Sequence, residues 1–120
     1  MKLPNLDGQQ VELEELRNGK TALLFWNPGC GFCQRLVSDL KEWESEKPNG
    51  APKLVLISTG TAEANREHGL DSTILLDQGF RTGEQFGASG TPSAIVLDEK
   101  GQVASGIAVG GPEVMKLLRP

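Results

Sequence analysis

The strongest constraint on the fold is an alternation of short, almost wholly apolar runs with longer amphipathic ones, punctuated by glycine and proline. Thr21-Ala22-Leu23-Leu24-Phe25-Trp26 is too apolar to sit half-exposed, so it reads as a strand covered on both faces. Asn27-Pro28-Gly29 then turns the chain. Over residues 30–46, Cys33, Leu36, Val37, Leu40 and Trp43 or Glu44 recur at three- and four-residue steps, with no proline and no glycine beyond Gly31. That spacing predicts an amphipathic helix. Pro48-Asn49-Gly50-Ala51-Pro52 breaks it, and Lys53-Leu54-Val55-Leu56-Ile57-Ser58 is a second buried strand. A chain alternating in this way builds an α/β fold, a sheet with helices on its faces.

The remaining elements follow the same logic. Residues 61–68 form a short helix with Thr61 as its N-cap, residues 72–76 a strand, and residues 80–86 a further helix between Gly79 and Gly87. Thr91-Pro92 opens the strand Ser93-Ala94-Ile95-Val96-Leu97. Asp98-Glu99-Lys100-Gly101 has turn chemistry, so residues 102–107 are expected to return as an antiparallel hairpin partner of that strand. Gly110-Gly111-Pro112 starts a last helix whose buried side is Val114, Met115, Leu117 and Leu118. With 120 residues and no internal repeat, one domain spanning residues 1–120 is expected.

Composition narrows the function. There are 12 Lys and Arg against 16 Asp and Glu, and the basic residues are scattered, which argues against a nucleic-acid partner. No apolar run approaches the roughly 20 residues that span a bilayer. Met1-Lys2-Leu3-Pro4-Asn5-Leu6 lacks the apolar core of a signal peptide. Cys30 and Cys33 are the only cysteines, which excludes a disulfide-rich scaffold and a four-thiolate zinc site within one chain. Neither a metal nor a cofactor is expected.

Cys30-Gly31-Phe32-Cys33 is the most informative feature, because it follows a buried strand directly and opens a helix. Free backbone N–H groups and the positive end of the helix dipole stabilise a thiolate there. Cys33 shares the helical face of Leu36, Val37 and Leu40 and should point inward; Cys30, preceded by a turn, should be accessible. This asymmetry assigns Cys30 the attack on a substrate disulfide and Cys33 the resolution of the mixed disulfide. The competing roles are an inert disulfide or half of a metal site shared between chains. A two-residue loop makes a poor staple. His68, the only histidine, reads as a surface or helix-end residue.

Phe25-Trp26-Asn27-Pro28-Gly29-Cys30-Gly31-Phe32-Cys33, taken with Gly90-Thr91-Pro92, resembles the thioredoxin superfamily, and in particular its TlpA/ResA branch. The opening Leu3-Pro4-Asn5-Leu6-Asp7-Gly8-Gln9-Gln10-Val11-Glu12-Leu13 is similar to that branch's lead-in, so the likeness covers essentially the whole chain. It implies a thioredoxin-like fold with a central mixed β-sheet flanked by α-helices, Cys30 as nucleophile, Cys33 as resolving thiol and Pro92 in a cis peptide bond beside them. It also implies that the Thr91 backbone pairs with a substrate strand and that Trp26 shields the sulfurs, the reading preferred over a plain core role at the end of an apolar strand. Phe32 should be exposed, as a contact for a partner protein or as a cover for the disulfide.

Two departures from the pattern matter. Many relatives carry Trp immediately before the first cysteine where this chain has Gly29, so contacts of that ring with substrate are missing. Thioredoxin has a buried Asp six residues before its nucleophile, and Leu24 stands there. The Cys33 proton must then pass to water or another acid, for which Glu63 and Asp77 are candidates by position, with plain surface solvation as the competing role.

These features point to a thiol-disulfide oxidoreductase that acts on protein or small-molecule disulfides and dithiols together with a redox partner. Gly31 and Phe32 add no positive charge beside Cys30, so a reductant is expected. Peroxide reduction is disfavoured, because the Pro-x-x-x-Thr-x-x-Cys pattern is missing around both cysteines. The alternatives are a copper-delivery module, which would need His68 to reach the sulfurs, or a noncatalytic interaction module with an idle disulfide. The TlpA/ResA likeness implies an extracytoplasmic place, periplasmic or membrane-tethered, against a cytoplasmic alternative. The chain is expected to be a monomeric soluble domain cut from a membrane-attached protein, with any tether outside it.

Overall fold

The computed structural model describes residues 1–16 and 19–119. Strands β1 (Lys2–Pro4) and β2 (Gln10–Glu12) form a small antiparallel hairpin. The main sheet consists of β3 (Thr21–Trp26), β4 (Lys53–Ser58), β5 (Thr73–Leu76), β6 (Ser93–Leu97) and β7 (Ala108–Val109), in the spatial order β5-β4-β3-β6-β7. β3 runs parallel to β4, and β4 parallel to β5, whereas β6 lies antiparallel to both β3 and β7. The sheet is therefore mixed. Its helices are α1 (Gly31–Glu46), α2 (Ala62–His68), α3 (Arg81–Gln85) and α4 (Gly111–Leu118).

Side-chain alternation along the strands divides the core in two. Ala22, Leu24 and Trp26 of β3 point to one face, where they meet Cys33, Leu36, Leu40 and Trp43 of α1 and Val114 and Leu118 of α4. Leu23 and Phe25 point to the other, against Val55, Ile57, Leu75, Ile95 and the flanking Phe80 and Phe86. All six residues of β3 are buried, as its apolar run requires of the central strand. Trp43 Nε1 donates to the Leu118 carbonyl at 2.9 Å and so ties α1 to the end of α4. The Asn5 backbone bridges to Leu75, which brings the opening hairpin against the β5 edge.

The expected partner of β6 needs correction. Residues 102–107 do not form a strand: they touch β6 through one isolated bridge, Val103 to Leu97, and the Ala104 N–H donates to the Val96 carbonyl at 2.8 Å. The Val96 N–H donates instead to Ser105 Oγ at 2.9 Å. A hydroxyl thus replaces a backbone carbonyl in the ladder, which interrupts the regular pairing. The strand that does pair with β6 is the two-residue β7, which begins immediately after that segment.

Candidate active site

β3 ends at Trp26, and the chain reaches α1 through four residues whose backbone is fixed locally. Asn27 Oδ1 accepts the Gly29 N–H at 2.9 Å, and the Asn27 carbonyl accepts the Cys30 N–H at 3.0 Å. These bonds make the turn that Asn-Pro-Gly chemistry favours. Cys30 occupies the N-cap of α1 in extended geometry (φ −83°, ψ 130°), and its carbonyl accepts the Gln34 N–H at 2.9 Å. Its sulfur consequently lies over the open first turn of a 16-residue helix.

The two thiols, both free, have opposite environments. Cys30 is partly exposed and Cys33 fully buried. The Cys30 thiol is held below the ordinary range, chiefly by the backbone N–H of Cys33, with further help from the Phe32 N–H and the Thr91 and Cys33 side chains, against an opposing contribution from burial. For Cys33 burial dominates and pushes the thiol up to about 11, with the neighbouring Cys30 adding to the rise and the Asn27 backbone and Thr91 side chain opposing it. The Thr91–Pro92 bond is cis, and the Thr91 carbonyl lies 3.8 Å from Cys30 Sγ. Thr91 stands partly exposed at the site while Pro92 is buried.

The other residues singled out from sequence divide. Trp26 is wholly buried and shares the core cluster that contains Cys33. Gly29 is exposed, and Phe32 is 67% exposed with the Arg35 guanidinium 5.4 Å from its ring centroid. Leu24 is fully buried among apolar side chains, so no carboxylate lies at that position behind Cys33. Asp77 is not a solvated surface acid. It is buried and accepts the Thr82 N–H at 2.9 Å, which commits it to the start of α3. Glu63 is exposed in the first turn of α2. Among the described residues, no three His, Cys, Asp or Glu side chains converge as a metal site.

Sequence reading missed two side chains. Gln34 Nε2 donates to the Pro28 carbonyl at 3.1 Å, and His68 Nε2 lies 3.2 Å from the same oxygen. The helical period brings Gln34 round towards the turn before α1, but nothing local in the sequence brings His68 there.

Against known families, the Redoxin model matches residues 1–117. The chain belongs to the redoxin family. Among curated proteins, this redoxin is 24% identical to the thiol-disulfide oxidoreductase ResA of Halalkalibacterium halodurans, over 98% of its own length and 73% of that protein. The ResA of Bacillus anthracis is also 24% identical, over 86% of this chain and 62% of the relative. Among solved structures, StoA from Bacillus subtilis superposes with a TM-score of 0.75 at 18% identity, covering 98% of this chain and 92% of StoA. A secreted Mycobacterium tuberculosis disulfide oxidoreductase homologous to E. coli DsbE gives 0.72 at 19% identity, over 98% and 96% of the two chains. These likenesses establish the fold as thioredoxin-like, and the redoxin resembles the TlpA/ResA group.

Proposed function

We propose that this redoxin is a protein thiol-disulfide oxidoreductase in which Cys30 attacks and Cys33 resolves. The observation that carries the assignment is the contrast between the sulfurs: one partly exposed and held towards the thiolate, the other buried and held protonated. The Cys30 thiolate attacks one sulfur of a substrate disulfide, forming a mixed disulfide and releasing the first substrate thiolate, which takes a proton. Cys30 is then uncharged, so its contribution to the raised Cys33 pKa disappears. Cys33 gives up its proton to solvent, attacks the Cys30 sulfur and expels the second substrate thiolate. Two electrons have passed to the substrate, and a redox partner must reduce the Cys30–Cys33 disulfide to close the cycle.

Around this pair, the Thr91 backbone and Pro92 receive the substrate chain beside Cys30, Phe32 and Gly29 present the surface it meets, and Trp26 shields the sulfurs from behind. The chain works as one domain and as a monomer. Its place is extracytoplasmic, a reading supported by the secreted Mycobacterium tuberculosis relative, with any membrane tether outside the sequence given. Among the described residues no helix is long and apolar enough to cross a membrane.

Trapping tests the assignment. Cys30→Ser is expected to abolish disulfide exchange, and Cys33→Ser to accumulate a mixed disulfide through Cys30, both visible by mass spectrometry after reaction with a protein disulfide. Trapping through Cys33 in the Cys30→Ser protein would reverse the roles.

A further inference from the structure

The Pro28 carbonyl receives two side chains from separate elements: Gln34 from α1 at 3.1 Å and His68 from the last turn of α2 at 3.2 Å. We propose that His68 and Gln34 are positioning residues that hold the Pro28–Gly29 peptide and thereby fix Cys30 over the first turn of α1. This rests on the reading of Cys30 as the attacking thiol.

The need for such a clamp follows from Gly29. A glycine immediately before the nucleophile lets the loop rotate, and almost nothing packs around this one: a Cβ built there would meet only Asn27 Oδ1, at 3.4 Å. Restraint must come from hydrogen bonds to the peptide planes. The Gly29 N–H is held by Asn27 Oδ1, and the carbonyl on the other edge of the same plane is held by Gln34 and His68. With both edges pinned, the plane that leads into Cys30 cannot turn. The next plane is fixed by the bond from the Cys30 N–H to the Asn27 carbonyl, so the sulfur stays where the Cys33 and Phe32 N–H groups reach it.

His68 is itself held in place. Its ring stands edge-on to Trp26, with centroids 6.3 Å apart at 84°. Gly60, just ahead of α2, backs onto the Pro28 ring so closely that a Cβ there would lie 2.3 Å from Pro28 Cγ. The ring donates to Pro28 with its proton on Nε2, and a doubly protonated ring donates equally.

The test compares His68→Ala, Gln34→Ala, their combination and His68→Gln, which restores an amide N–H donor of similar reach. Two readouts are taken on the reduced proteins: the pH profile of Cys30 alkylation by iodoacetamide, resolved by mass spectrometry, and the rate of insulin disulfide reduction. Each alanine variant is expected to shift the Cys30 profile to higher pH and to slow insulin reduction about fivefold, about the effect of one net hydrogen bond, with a larger loss in the double variant and recovery in His68→Gln. Wild-type profiles and rates in the double variant would overturn the proposal, as would a His68→Gln protein as impaired as His68→Ala. If the double variant does not fold, exposed Gln34 still supplies the decisive single variant. A wild-type protein that reduces no disulfide would refute the exchange function, while the alkylation profiles would still decide the positioning role.

Discussion

At the scale of single residues, the site sets a buried sulfur beside side chains that stand open to solvent. Phe32 is the most exposed large apolar one among them. It is held by the helix start rather than by packing, is 67% exposed, and its ring is partnered by Arg35 rather than by the core. Removing the ring should therefore cost the fold little, since surface changes away from special features usually stay within about 0.5 kcal/mol. Its loss should be felt by a partner that buries it. Phe32→Ala is expected to slow reduction of insulin roughly fivefold, the equivalent of about 1 kcal/mol of lost apolar contact, and to leave reduction of a small aliphatic disulfide unchanged. Equal losses on both substrates would show that Phe32 instead supports the sulfurs. The exposure of this side chain was legible in the sequence because its place between the cysteines, at a helix start, settles it. His68 was not, because a single histidine at the end of a short helix looks the same whether it faces solvent or reaches back 40 residues to Pro28.

At the scale of elements, apolar periodicity and local capping chemistry place the boundaries wherever neighbouring residues alone decide them. β3, α1 and β4 fall where apolar spacing places them, and Thr61 caps α2 by accepting the Ala64 N–H at 3.1 Å. The segment after β6 was misread for a physical reason: Ser105 supplies an acceptor from its side chain, and no propensity scale registers that substitution. Close approach between elements is similarly invisible. Gly60 and Gly31 both look like loop or helix-start glycines, yet a Cβ on Gly60 would overlap the Pro28 ring at 2.3 and 2.5 Å, whereas Gly31 has open space. Gly60→Ala must therefore push the β4–α2 connection away from the active-site turn, an overpacking cost of about 1 to 3 kcal/mol. Gly31→Ala meets no such obstacle and gains helix propensity. Thermal unfolding should show Gly60→Ala several degrees below wild type and Gly31→Ala at or above it; equal midpoints would mean that the connection yields without strain.

At the scale of the whole molecule, the direction of electron flow depends on how strongly the fold stabilises the Cys30 thiolate relative to the disulfide. The donors it provides are the Cys33 and Phe32 N–H groups and the side chains of Thr91 and Cys33, which are neutral dipoles at the head of α1. Fixed positive charge would do more, and the sequence places none between the cysteines. The nearest cation along α1, Arg35, lies over the Phe32 ring. The buried Cys33 works in the same sense, because a thiol pushed up to about 11 is a reluctant thiolate and a good nucleophile once freed. A weakly stabilised dithiol passes its electrons on. The potential should therefore lie nearer that of thioredoxin, about −270 mV, than that of DsbA, about −120 mV. Equilibration with glutathione at pH 7, read by the fraction of alkylated Cys30, measures it directly. A value above about −180 mV, the level of protein disulfide isomerase, would mean that the helix start stabilises the thiolate more strongly than its neutral donors account for, and that the protein donates disulfides instead.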